Sequence, residues 1–210
     1  VTIRDRVEEL ISALEIHSEK YFKNPKAYYY QMRESNPKNQ IDKVSRLIFL
    51  NRTCFNGLYR VNSKGKFNVP LGKYTNPNIV NKENLIAVSH VLRSKDISIK
   101  CQDFPKALEE AQKNDFVYLD PPYQPVSQTS NFTSYTNDSF GYEDQERLFL
   151  EFQRLDSKGC KVMLSNSKSD EVLDLFEDYS DKTIEISENR FINSDSKKRT
   201  GHSELLIKNY

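Results

Sequence analysis

The run Phe116-Val117-Tyr118-Leu119-Asp120-Pro121-Pro122-Tyr123 constrains this chain more than any other stretch. Four apolar or aromatic residues in a row read as a short buried strand. An acid ends the strand. Two prolines follow, with φ held near about −65° and no N–H to give to a ladder. Such a corner holds a rigid row of backbone carbonyls beside one carboxylate and one aromatic ring. It can accept both hydrogens of an amino group on a flat ring while the tyrosine stacks on the ring face. The bland alternative is a proline-stiffened strand end without chemistry. It loses ground once Tyr123 and the preceding strand are counted with the Asp-Pro-Pro core.

The flanking sequence supplies an α/β frame. Ile3, Val7, Leu10, Ile11, Leu14, Ser18 and Tyr21 fall at helical spacing, which predicts an amphipathic helix ending near Asn24-Pro25. His17 lies among them and reads as a packed or surface histidine rather than a ligand. Residues 26–40 read as polar and mixed, with Tyr28, Tyr29 and Tyr30 packing on a helix from Gln40 to Thr53. A helix over Asn81–Ser94 and a strand over Ile97–Cys101 follow. Asp103 then suits an N-cap, with Pro105 in the first helical turn. Beyond the Asp-Pro-Pro-Tyr corner, residues 124–141 form a loop rich in Ser, Thr, Asn, Phe and Tyr. Loops of this length in compact domains usually carry function. A helix over Tyr142–Ser157, a strand over Lys161–Leu164 and a helix over Asp170–Asp178 come next. Strands near Thr183–Ile186 and Glu204–Ile207 complete the alternation. Ser165-Asn166 would end a strand on the same edge as Asp120, where parallel α/β sheets keep their sites.

Charge is informative through its distribution. The net charge is +1, and 30 of 210 residues are acidic, yet no acid occurs between Asp42 and Glu83. That window carries Lys43, Arg46, Arg52, Arg60, Lys64, Lys66, Lys73 and Lys82, with Tyr and Phe interleaved. This is the footprint of a phosphate-contacting face, although a solvated basic face has the same composition. Within the window, residues 51–74 read as a β-hairpin turning at Gly65. A basic hairpin of that size can enter a DNA major groove, where arginine reads guanine O6 and N7 with two hydrogen bonds.

With these residues in view, a family resemblance is clear. Asp120-Pro121-Pro122-Tyr123 after a strand resembles the catalytic motif of amino-group methyltransferases that use S-adenosylmethionine. The continuation through Gln124-Pro125-Val126-Ser127 and Asn131-Phe132-Thr133-Ser134-Tyr135 is similar to the adenine-N6 enzymes of the GATC-methylating group. The segment from Asn51 to Gly72 resembles their target-recognition hairpin. The resemblance implies a cytoplasmic enzyme, bacterial or phage-encoded, acting on double-stranded DNA by base flipping. Phe55 would be the wedge that enters the duplex, and Asn56 would steady a phosphate or the orphaned base. Leu58 and Pro70 would touch thymine, and Arg60 would read an outer guanine. Arg52, Asn62, Lys73, Asn131, Tyr135, Lys197 and Arg199 complete the implied DNA contacts. Asp103 and Phe104 would lie beside the adenine of the cofactor, with Asp120 at its methyl end. Asp120, Pro121, Pro122 and Tyr123 would carry the chemistry.

The fold expected is a Rossmann-like α/β methyltransferase sheet, lacking N-terminal strands, with a helical and hairpin insertion for DNA recognition. Residues 1–25 and 95–210 are grouped as the catalytic domain, and residues 26–94 as the recognition domain. The glycine-rich turn of the family finds no counterpart among the six glycines, and the chain opens at Val1 already inside a predicted helix. The expectation is therefore a chain that lacks its front. Cys54, Cys101 and Cys160 are dispersed, so neither a metal set nor a disulfide framework is expected. No apolar run suits a membrane span. Two other readings remain: a DNA-binding remnant without chemistry, and a methyltransferase for a different amino group such as cytosine N4. Asp rather than Asn at position 120, and the hairpin, disfavour the latter.

Overall fold

The N-terminal apolar stripe folds as α1 (Thr2–Asp5) and α2 (Val7–Lys23) in the computed structural model, which describes residues 1–94, 96–124, 140–188 and 202–210. On α2, Val7, Leu10, Ile11, Leu14, His17 and Tyr21 are buried. Glu8 and Glu9 occupy its first turn, and Lys20 and Lys23 its last, each sign placed where the helix dipole favours it. Asn24 stops α2 and starts the next helix. Its Oδ1 accepts from Ala27 N at 3.3 Å and Pro25 sits in the first turn, which gives α3 (Pro25–Glu34). The stretch read only as polar and mixed from residue 26 is thus helical as far as Glu34. Only Tyr29 is buried on α3, a stripe too narrow for hydrophobic spacing to reveal. The tyrosines do pack as expected on α4 (Gln40–Thr53), where Phe49 meets Tyr28 edge-on at 5.4 Å.

The residues divide into two compact units, Val1–Ile99 and Lys100–Tyr210. In the first, α2, α3, α4 and α5 (Lys82–Leu92) enclose Leu10, Ile11, Leu14, Tyr29, Phe49 and Leu50, and the hairpin contributes Cys54, Phe67 and Val69. The sequence grouped residues 1–25 with residues 95–210. By packing, α2 shares its core with the hairpin-bearing helices, because its apolar face is matched by Phe49 and Leu50 of α4.

The second unit runs α6 (Phe104–Leu108), β1 (Phe116–Leu119), α7 (Tyr142–Ser157), β2 (Lys161–Ser167), α8 (Asp170–Leu175), a 3-10 turn over Glu177–Lys182, β3 (Ile184–Glu188) and β4 (His202–Lys208). Its four strands lie in the order β1-β2-β4-β3. β1 and β2 are parallel, as the intervening α7 requires, and the other two pairs are antiparallel. The result is a mixed α/β sheet, parallel at β1-β2 and antiparallel beyond. Val117, Leu119, Val162, Leu164, Leu205 and Ile207 line one sheet face, and Leu148, Phe152 and Leu155 of α7 and Val172 of α8 belong to the same core. The strand expected over Ile97–Cys101 does not form. Ile97 and Ile99 have the right alternation, but no described strand pairs with them, and Ile99 stays exposed.

Candidate active site

The corner forms where the strand ends. Asp120 follows Leu119, the last residue of β1, and the register Leu119↔Leu164 brings Ser165 of β2 level with it. Ser165 Oγ donates to Asp120 Oδ1 at 2.8 Å, and Tyr118 Oη donates to Ser165 Oγ at 3.1 Å. Ser165 is buried while Asp120 is exposed. The carboxylate is therefore held from behind and open in front. Tyr123 is half-buried, and its hydroxyl donates to Glu204 Oε2 of β4 at 3.3 Å. Burial raises the Tyr123 phenol above its ordinary pKa, and the Glu204 and Asp120 carboxylates push the same way. The ring thus remains a neutral phenol at physiological pH.

The turn is held from below by groups that the sequence reading missed. Gln145 in the first turn of α7 donates from Nε2 to Pro122 O at 3.2 Å. Asn166 Oδ1 accepts from Gln124 N at 3.1 Å, and Ser167 Oγ donates to Gln124 O. A signal for Gln145 was present. It stands three residues before Leu148 and seven before Phe152, so a polar side chain occupies the buried stripe of α7. Ser165-Asn166 lies on the same edge as Asp120, but within β2 rather than ending it, since pairing with β4 carries the strand on to Ser167.

Asp103 and Phe104 come together at the start of α6, where Asp103 Oδ1 accepts from Phe104 N at 2.9 Å. Arg147 of α7 reaches both. Its Nη2 lies 2.6 Å from Asp103 Oδ2, and its guanidinium sits 5.0 Å from the centre of the Phe104 ring. That ring lies 6.2 Å from Phe140. The pair sets a carboxylate acceptor, bonded by Phe104 N and Arg147, beside an aromatic face. No described contact joins this pair to Asp120, although α7 touches both places, through Gln145 and Arg147.

In the first unit the basic stretch does fold back on itself. Phe55 N bonds Pro70 O at 2.9 Å and Gly72 N bonds Thr53 O at 2.8 Å. Further out, Asn62 N bonds Lys66 O at 2.9 Å and Asn68 N bonds Arg60 O at 3.0 Å. Gly65 takes the positive φ of +70° that closes the turn, and Asn62 Oδ1 caps it by accepting from Lys64 N and Lys66 N. Tyr29 Oη anchors the hairpin to α3 through Val69 O at 2.8 Å. Cys54, Phe67 and Val69 face inward, while Arg52, Phe55, Asn56, Arg60, Asn62, Pro70 and Lys73 are exposed and Leu58 is half-buried. Phe55 is an apolar ring 44% exposed at a strained loop, since Asn56 has a φ of 53°. Arg60 is braced by Asn68 Oδ1 at 2.8 Å. Arg46, counted in the basic window, is instead turned inward and donates to Met32 O and Arg33 O at the end of α3. Asn131, Tyr135, Lys197 and Arg199 lie outside the described residues.

Among the described residues, no group of three His, Cys, Asp or Glu side chains is placed to hold a metal ion, and no helix is long and apolar enough to cross a membrane.

Residues 1–192 match the model of a family described as D12 class N6 adenine-specific DNA methyltransferase. The chain is similar to Type II methyltransferase M1.LlaDCHI of Lactococcus lactis subsp. cremoris, at 45% identity over 214 residues, covering 99% of this chain and 74% of that protein. Type II methyltransferase M.MjaIII of Methanocaldococcus jannaschii is 41% identical over 219 residues, with 99% and 74% covered. A DNA adenine methylase of Haemophilus influenzae is 31% identical over 184 residues, covering 87% of this chain and 63% of that protein.

Proposed function

This chain belongs to the D12 class of N6 adenine-specific DNA methyltransferases, and on that premise we propose that it methylates adenine N6 within GATC in duplex DNA, with S-adenosylmethionine as donor and the target base flipped out of the helix. The observation that carries the reading is the Asp120 carboxylate, fixed by Ser165 at the mouth of β1 and followed by two prolines.

Adenine N6 is a poor nucleophile because its lone pair is delocalised into the ring. Asp120 and the Pro121 carbonyl would each accept one of its hydrogens, which favours a tetrahedral nitrogen with a directed lone pair. S-adenosylmethionine, when bound, supplies an electrophilic methyl group on a sulfonium. Asp103 and Phe104 would hold its adenine, the acid taking the amino group and the ring one face. The exposed Asp120 carboxylate would receive the proton released from N6 and pass it to solvent. Because its partners stand in place beforehand, the corner works by placement and preorganised dipoles. Tyr123 would stack on the extruded base. Extrusion is required because N6 is paired within the duplex.

On the first unit, Arg60 would read an outer guanine, Leu58 and Pro70 would contact thymine, and Phe55 would fill the space the adenine leaves. Asn56, Arg52, Asn62 and Lys73 would serve backbone or base contacts around them. The test is transfer of labelled methyl groups by this chain to a GATC duplex and to the same duplex carrying GTTC. Labelling of adenine in the first alone supports the reading. Equal labelling of both overturns the GATC assignment. Duplex retention without transfer favours the remnant reading.

A further inference from the structure

Gln145 and Asn166 are 1% and 0% exposed, yet each carries an amide into the core of the second unit. Buried amides persist where their hydrogen bonds are made, and these are made in one chain. Asn166 Oδ1 faces two N–H groups, Gln124 N at 3.1 Å and Ser167 N at 2.9 Å. Its Nδ2 must then point away, and it donates to Gln145 Oε1 at 3.0 Å. Gln145 Nε2 is left to donate, and it meets Pro122 O at 3.2 Å. Each amide's orientation is fixed by its neighbour, so the relay has one consistent direction.

The two ends of the relay grip particular peptide planes. Pro122 O belongs to the plane just before Tyr123, and Gln124 N–H belongs to the plane just after it. Because peptide units are planar, holding one atom in each of them restricts the φ and ψ of Tyr123. Proline already fixes φ at positions 121 and 122. Asp120 is held separately, by Ser165. The corner thus has one anchor for its carboxylate, one for the backbone on either side of Tyr123, and a third, Glu204 Oε2, for the tyrosine hydroxyl.

We propose that Gln145 is a positioning residue for methyl transfer: acting through Asn166 and the Pro122 carbonyl, it fixes the backbone of Tyr123 and so aims the ring at the substrate base. The inference rests on the functional reading above for what Tyr123 touches. A core role alone would be served by methionine, which has the same length and no polar atoms to satisfy. The amide is needed to orient the turn.

The test compares Gln145→Met with the wild-type chain, alone and in a Tyr123→Ala background. Single-turnover methylation of a GATC duplex and hydrogen exchange at the Gln124 amide are the readouts. Gln145→Met is expected to lower the transfer rate about 10- to 100-fold, the cost of a displaced reacting geometry, while KM for the duplex changes less than about twofold. In the Tyr123→Ala background the same change should cost less than about twofold, because the ring it aims is gone. Equal losses in both backgrounds, or no loss in the first, overturn the proposal. If the wild-type chain transfers no methyl group to an adenine duplex, the functional reading fails instead. The positioning role then stands on exchange alone: the Gln124 amide should exchange at least about tenfold faster in Gln145→Met, and unchanged exchange overturns it. Should Gln145→Met not fold, Gln145→Leu removes the same donor and is read by the same criteria.

Discussion

Ser165 donates its hydroxyl to Asp120 Oδ1 at 2.8 Å, joining residues 45 apart in the sequence across the parallel pair β1 and β2. Tyr118, two residues before Asp120 and on the same face of β1, donates to that hydroxyl in turn. The result is a carboxylate whose direction is set by strand register rather than by its own rotamer preference.

Removing the carboxylate tests the chemistry. Asp120→Ala is expected to abolish methyl transfer while leaving duplex binding intact, as read by label incorporation and gel shift. Ser165→Ala keeps the carboxylate but frees it, and should slow transfer about tenfold with unchanged duplex affinity. An Asp120→Ala chain that still methylates would remove this residue from the mechanism.

Arg60 is exposed on the hairpin and braced by Asn68. Arg60→Ala should weaken discrimination at one outer G·C pair by about 1–3 kcal/mol, the worth of a bidentate arginine–guanine contact. The measure is the ratio of kcat/KM for GATC and for duplexes altered at the outer pair. A ratio equal to wild type would assign that guanine to another side chain.

Gly72 has no room for a side chain. A Cβ there would lie 2.5 Å from the Tyr74 ring and 2.7 Å from the Cys54 carbonyl oxygen. The ring could swing aside, but the backbone oxygen is held in the turn that follows α4, where it accepts from Gly57 N at 3.3 Å. Gly72→Ala should therefore lower unfolding stability by about 1–3 kcal/mol, visible in denaturant titration, and should weaken duplex binding by loosening the hairpin. A midpoint at the wild-type value would show that the strand absorbs the clash.

His17 links stability to pH. Ser45 gives its hydroxyl hydrogen to Asp42 O, so it accepts from His17 Nε2, and Nδ1 is left to accept from Tyr28 Oη at 2.7 Å. The ring is therefore neutral in the fold, and burial lowers its pKa, with Lys20 acting the same way and Asp42 opposing. The unfolded chain takes up the proton first, near the ordinary histidine value of about 6.5. Its contribution to stability is complete above that pH and is lost as pH falls from there toward the lower folded value. Melting temperature should drop over this window in the wild-type chain and drop less in His17→Phe. Equal slopes in the two proteins would rule out His17 as the titrating group.

Much of this was legible in the residues. The helices over Gln40–Thr53 and Tyr142–Ser157 have strong apolar spacing, and both formed as expected. The hairpin was legible from Gly65 and its flanking apolar residues, and the corner from the acid and prolines after an apolar strand. The helix over Pro25–Glu34 was not legible, because one buried tyrosine makes no stripe and Asn-Pro serves equally as an end and a beginning. The strand over Ile97–Cys101 was misread because alternation gives a strand only where another edge offers hydrogen bonds. Gln145 was passed over because spacing marks it as a core position and its chemistry contradicts that.

What the sequence determined by itself was local: a stiff turn after a strand, a basic hairpin, and the order of helices and strands. Proline geometry, glycine at positive φ and apolar period act within a few residues, so they can be read from the chain. Tertiary structure decided which distant groups meet the corner. Parallel register set Ser165 beside Asp120, and the packing of α7 on β2 brought Gln145 to Pro122 and Asn166. It also settled that Arg46 spends its charge on α3 while Arg60 keeps facing solvent. Those outcomes depend on contacts between segments tens of residues apart, and no local pattern carries them.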